Sequence, residues 1–290
     1  GDFSSAGAAR IDYFRHLEQS LAQLTLGQNG YVRSLLAGSP QTGPGNLLYA
    51  LEFFHNDGPW QVERHYRKRH GVLRYSKGTR NDGWSVTGMA YDGNWTSTDQ
   101  IAQRAIDSGQ VSRFGSLDPS TGGKTFRYSL SGEWAARGQD SLSRANVWAL
   151  RSGLDLWSNF TYCLDDFATA GNCNRGDQFL QRERRTAGGF AVSHQQSERW
   201  GGFDVLNSIG FQGRQDRLSP VGLYKSRARE VLSSTRADHV TQRSLSLWAQ
   251  SELRWNDWLR TITGARGDLY DFTVDASQSA NSATASDRML

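Results

Sequence analysis

The sequence predicts an all-β chain that forms a transmembrane antiparallel β-barrel, or part of one. Three observations carry this: apolar and polar residues alternate along short segments, connections alternate between short and long, and tryptophans gather beside the short ones. The composition agrees, since 31 Gly against 5 Pro and 33 aromatics (10 Trp, 10 Tyr, 13 Phe) among 290 residues favour strands and tight turns over helix bundles.

Several classes are excluded early. Mean hydropathy is −0.63, and the longest unbroken apolar run, Leu47 to Leu51, is far short of the ~20 residues of a spanning helix. Barrel strands survive this test because lipid-facing and lumen-facing residues alternate within them. The net charge of +4 is scattered, with no basic stripe for nucleic acid. The two cysteines, Cys163 and Cys173, lack the four-ligand spacing of structural zinc. No metal, cofactor or catalytic set is expected, since no Ser-His-Asp or paired-carboxylate arrangement is readable from spacing.

Along the chain, Leu17, Leu21 and Leu24 fit a helix as well as a strand, whereas 47–55 sets Leu47, Tyr49, Leu51 and Phe53 against Ala50 and Glu52. The clearest strand is 126–134, where Phe126, Tyr128, Leu130, Gly132 and Trp134 alternate with Arg127, Ser129, Ser131 and Glu133. A rougher one covers 203–211, and another covers 241–253 through Leu245, Leu247, Ala249 and Leu253. Short turns are expected at Gly78–Gly83, Arg137–Ser141, His194–Gly202 and Trp255–Trp258, and long polar connections at 56–70, 92–124, 163–178, 214–240 and from 275 onward. Short turns on the periplasmic side and long loops outside are a barrel's pattern. Trp84, Trp134, Trp200, Trp255 and Trp258 all stand beside short turns, where one membrane interface would lie.

About eleven strands fit after residue 15. An open sheet of that size leaves two unpaired edges, which hydrocarbon does not tolerate, so the chain is expected to be a fragment or to close with another chain. The glycine at position 1 and the Ser/Ala-rich end, Ala276 to Ser286, favour a fragment.

The opening Gly1-Asp2-Phe3-Ser4-Ser5-Ala6-Gly7-Ala8-Ala9-Arg10-Ile11-Asp12-Tyr13 resembles the end of the plug in TonB-dependent outer-membrane receptors. Met89 to Trp95, followed by Thr98 to Ile101 and Arg104 to Ile106, is similar to a strand end and large outer loop of that family, and Tyr128 to Trp134 to one of its barrel strands. The resemblance implies a plug remnant at 1–14 and, at 15–290, the first half of a barrel of about 22 strands. It also implies a bacterial outer-membrane receptor, not an enzyme, that imports a scarce solute such as an iron chelate. Its partners would be outer-membrane lipid, the solute, and the TonB energy-coupling complex, reached through a plug and N-terminal box outside this chain. No nucleic acid is implied. The alternative is a passive porin-like channel.

Within that frame, Tyr91, Asp92, Trp95 and Asp99 open the longest loop and are the candidate ligand-binding residues, with Thr98 or Asp99 capping a short helix through Ile106. Cys163 and Cys173 are expected to form a disulfide within one outer loop. His65 and His70 flank Arg67-Lys68-Arg69 and read as a solvated basic strand end, since a metal reading needs a carboxylate that spacing does not show.

Overall fold

The computed structural model describes residues 13–277 and 283–289. The first elements are β1 (Leu21–Leu26), β2 (Val32–Gly38), the stub β3 (Gln41–Thr42), β4 (Gly45–Asn56), β5 (Tyr66–Gly78), β6 (Gly83–Thr96) and helix α1 (Gln103–Asp107). Then come β7 (Gly122–Arg137), β8 (Ser141–Ser158), helix α2 (Leu164–Ala170), β9 (Phe179–Trp200), β10 (Phe203–Arg227), β11 (Glu230–Arg254), β12 (Arg260–Asp275) and β13 (Ala285–Met289). All strands join one sheet in chain order, each antiparallel to the next, with β3 pairing β4 off the path. Thirteen strands thus replace the expected eleven or so. Two short pieces contribute to the difference: the two-residue β3, and β13 in a stretch expected as loop. Leu21 and Leu24, ambiguous in sequence, lie in β1. The expected plug remnant falls almost wholly outside the described residues. Among those described, no helix is long and apolar enough to cross a membrane.

The two faces of the sheet differ as a barrel requires. In the β6–β7 register Trp84 pairs with Trp134, Val86 with Gly132 and Gly88 with Leu130, while Ser85 pairs with Glu133 and Thr87 with Ser131. Trp84, Val86, Leu130 and Trp134 are exposed, Leu130 at 59%, whereas Ser85 and Thr87 are buried at 1% and 4%. Exposed apolar and buried polar side chains invert the soluble pattern. On the polar, inner face Arg74 donates to Thr87 Oγ1 and Glu133 Oε2, both at 2.7 Å, tying β5 to β6 and β7. The leading segment crosses this face: Leu17 N–H donates to Ser39 Oγ at 2.7 Å, and the Tyr13 ring lies 6.0 Å from the Arg74 guanidinium. Indoles on this face lie against glycines of the next strand. A Cβ on Gly189 would meet Trp148 at 2.9 Å, and one on Gly210 would collide with Trp248.

The connections alternate as expected, with two corrections. The stretch 214–240 is not a loop. β10 and β11 run 25 residues each and meet at Ala228-Arg229, both in the left-handed region at φ 51° and 69°, as a two-residue I′ hairpin demands. A spanning strand needs about 9–11 residues, so much of each strand stands beyond the apolar band. There the ladder continues without a lipid face, and Arg–Asp pairs replace apolar alternation: Arg214 with Asp216, and Arg236 with Asp238, both at 2.5 Å. Likewise β9 extends to Trp200, shrinking the turn expected at His194–Gly202 to Gly201-Gly202. The genuine long connections, 57–65, 97–121 and 159–178, lie at the same end of the sheet as the 228–229 tip.

Candidate functional site

At the long-loop end, the inner face carries a row of rings and charges supplied by alternate residues of adjacent strands. Tyr31 meets Phe54 edge-on at 5.2 Å, Phe54 meets Tyr66 at 5.3 Å, and Tyr66 meets Trp95 at 6.4 Å. Tyr91 sits beside the row, 6.1 Å from the His70 ring. Lys68 lies 5.6 Å from the Phe54 ring and 2.8 Å from Glu52, which also accepts from Arg33 at 2.7 Å. This wall can stack on flat groups and offer both cationic and hydroxyl donors.

Above it, three connections are fastened to one another. Asp118 Oδ1 accepts from the Ser120 backbone N–H at 2.9 Å and the Ser120 hydroxyl at 2.5 Å. Its Oδ2 accepts from Asn159 Nδ2 and Gln178 Nε2, both at 2.9 Å. Gln178 Oε1 in turn accepts from Ser226 Oγ at 3.0 Å and the Arg229 backbone N–H at 2.9 Å. The Arg229 guanidinium donates to the carbonyls of Ser120 (2.7 Å), Thr121 (3.0 Å) and Trp95 (3.3 Å), and stacks 5.0 Å from Trp157. Burial pushes the Asp118 carboxyl up, but the hydrogen bonds from Ser120, Asn159 and Gln178 outweigh it and hold the group below the ordinary carboxylate range. Asp99 moves the other way. Burial raises it and the Asp118 charge adds, against one N–H from Asn159 at 2.7 Å. Burial lowers the Arg229 guanidinium, with Asp118 opposing.

The four candidate residues therefore do not converge. Tyr91 and Trp95 belong to the inner wall. Asp92 takes the opposite face, between Arg69 and Phe126 in register. Asp99 belongs to the fastening above, and neither it nor Thr98 caps α1, which starts at Gln103 behind Ala102 with no side-chain cap. Cys163 and Cys173 have Cα atoms 5.6 Å apart, a disulfide separation, and flank α2. Asp177 caps that helix by accepting from the N–H groups of Asp165 (3.0 Å) and Asp166 (2.9 Å), and Gly171 ends it at φ 69°. Sequence reading missed Asp118, Asn159, Gln178 and Arg229, because their partners lie up to 134 positions away and no motif marks them.

Neither a family model nor a curated protein matches this sequence. Solved structures do. The ferric citrate transporter FecA in its unliganded form superposes with a TM-score of 0.69 at 8% identity, over 92% of this chain and 39% of that one. The closed form of the ferric-catecholate import receptor Fiu from Escherichia coli K12 gives 0.65 at 10%, over 93% and 45%. The pyoverdine outer membrane receptor FpvA from Pseudomonas aeruginosa PAO1, bound to pyoverdine, gives 0.65 at 10%, over 92% and 42%. The chain thus has the barrel fold of TonB-dependent receptors and spans less than half the length of these three.

Proposed function

We propose that this chain is the end of the plug and the first half of the barrel of a TonB-dependent receptor in a bacterial outer membrane. The whole protein would import a scarce solute such as an iron chelate. The observation that carries the reading is the superposition of nearly all of this open sheet onto about two fifths of receptors for iron chelates. The wall formed by Tyr66, Tyr91 and Trp95, with Lys68 and His70, supports it, because a bulky, partly aromatic anionic chelate would find stacking faces and donors there. Asp99 and the Cys163–Cys173 disulfide would act indirectly by shaping the loops above that wall. Lipid would meet the face bearing Leu130 and Val86.

Uptake measured in cells making the full-length protein tests this. Accumulation of a labelled ferric chelate should stop when the inner-membrane coupling is removed, and deleting the plug should raise single-channel conductance in planar bilayers. Large steady conductance from the intact protein, with uptake indifferent to coupling, would establish the passive channel instead.

A further inference from the structure

Loop 57–65, between β4 and β5, holds a second polar cluster. His70 stays in β5, but His65 stands just before that strand at φ 45°. Its Nδ1 lies 3.1 Å from Asp57 Oδ1 and 3.5 Å from Glu63 Oε2. Ligand atoms of all three residues lie within 4.8 Å of one another. A tetrahedral ion with ligand distances of about 2.0–2.1 Å has ligand-to-ligand edges of about 3.3 Å. Two edges thus already match, and the third needs only a swing of the Glu63 side chain, which is 60% exposed.

The central carboxylate is held in place from behind. The Asp57 backbone N–H donates to the Asn29 carbonyl and its own carbonyl accepts from the Arg64 N–H, both at 2.9 Å. His55 Nε2 lies 3.2 Å from Oδ2, leaving Oδ1 to face His65. His55 Nδ1 is buried without a partner among the described residues, so Asp57 is what the ring serves. Gly30 makes the approach possible: at φ +67°, it leaves open a space where a Cβ would run into the Asp57 carboxylate. An outer-shell group orienting a carboxylate ligand is a usual part of metal sites.

We propose that Asp57, Glu63 and His65 bind a divalent transition-metal ion. One imidazole and two carboxylates suit zinc or a similar ion and leave a fourth tetrahedral position open to water or an incoming ligand. The proposal does not depend on the transport reading, since it concerns free metal at a loop and would hold equally for a passive channel.

The test is zinc titration of the full-length protein in detergent, in competition with a chromogenic chelator. The native protein should hold one more equivalent than Glu63→Gln or His65→Ala. Each variant should weaken that site by at least the roughly 10–100-fold that even outer-shell changes cost, while His194→Ala keeps it. Glu63 is exposed enough that its substitution leaves the fold intact. Cobalt(II) should give visible absorption bands in the native protein that Glu63→Gln loses. Zinc affinity unchanged in Glu63→Gln, or no zinc retained by the native protein, would overturn the site.

Discussion

Gln178 donates to Asp118 across 60 positions at 2.9 Å, and the pair fastens the foot of β9 to the end of the longest connection. The carboxylate takes four donors and offers none, so an amide there must turn its NH2 toward another donor. Asp118→Asn should therefore cost the loops about 1–3 kcal/mol, seen at pH 7 as faster amide exchange at Ser120 and Asn159 in the full-length protein. Asp99→Asn should leave exchange unchanged or slow it, since it removes a like charge beside Asp118 and keeps an acceptor for Asn159. The two also differ in pH dependence. The depressed Asp118 stabilises above the ordinary unfolded value of about 3.9, and that stability is lost as pH falls through its folded pKa. The raised Asp99 favours the folded loops at low pH and ceases to as pH rises through its own folded pKa. Parallel responses of the two variants would contradict this geometry.

Facing is tested in β7. Leu130 stands on the apolar face between Gly88 and Ala149, and Ser129 on the polar face between Met89 and Leu150. Arginine at a lipid-facing midplane position costs about 2–4 kcal/mol, so Leu130→Arg should lower the denaturant midpoint of the full-length barrel far more than Ser129→Arg. Equal effects would assign the faces wrongly.

Reducing the bond between Cys163 and Cys173 should loosen α2 without touching the strands. Closing eleven residues contributes about 2.8 kcal/mol in the chain-entropy model, so exchange at Leu164–Ala170 should quicken by roughly 100-fold, while β9 amides stay protected. Asp177 limits the loss by continuing to cap the helix. Exchange that reductant leaves unchanged would mean the two thiols are not joined.

Cysteines placed at Gln139 and Asp257, beside short turns, and at Arg113, in the connection 97–121, report orientation. In intact cells a membrane-impermeant maleimide should label only position 113. Labelling at 139 or 257 would turn the sheet over.

The fold was legible wherever lipid contact imposes a period of two. Residues 126–134 and 241–253 lie within β7 and β11 because a band-crossing strand must alternate. The same logic explains the misreading of 214–240. Beyond the band, Arg214, Asp216, Arg236 and Asp238 pair within the sheet but show no apolar rhythm, and the Ala228-Arg229 tip lacks the glycine or asparagine that marks such turns. The site was legible only in part. Tyr91 and Trp95 could be placed near a strand end, but Asp57 and His65 meet through a loop path that spacing does not encode, and Asp118 meets Asn159 and Gln178 from a different connection, 41 and 60 positions away.

The indoles of Trp148 and Trp248 depend on the residues beneath them. Each lies against a glycine of the neighbouring strand, Gly189 and Gly210. A methyl group on Gly210 would push against the Trp248 ring alone, whereas one on Gly189 would meet the Gly213 backbone carbonyl at 2.8 Å as well as the Trp148 ring. Gly210→Ala would therefore shift an indole, whereas Gly189→Ala would strain the β9–β10 ladder itself, so one glycine protects the lie of a ring and the other the approach of two strands.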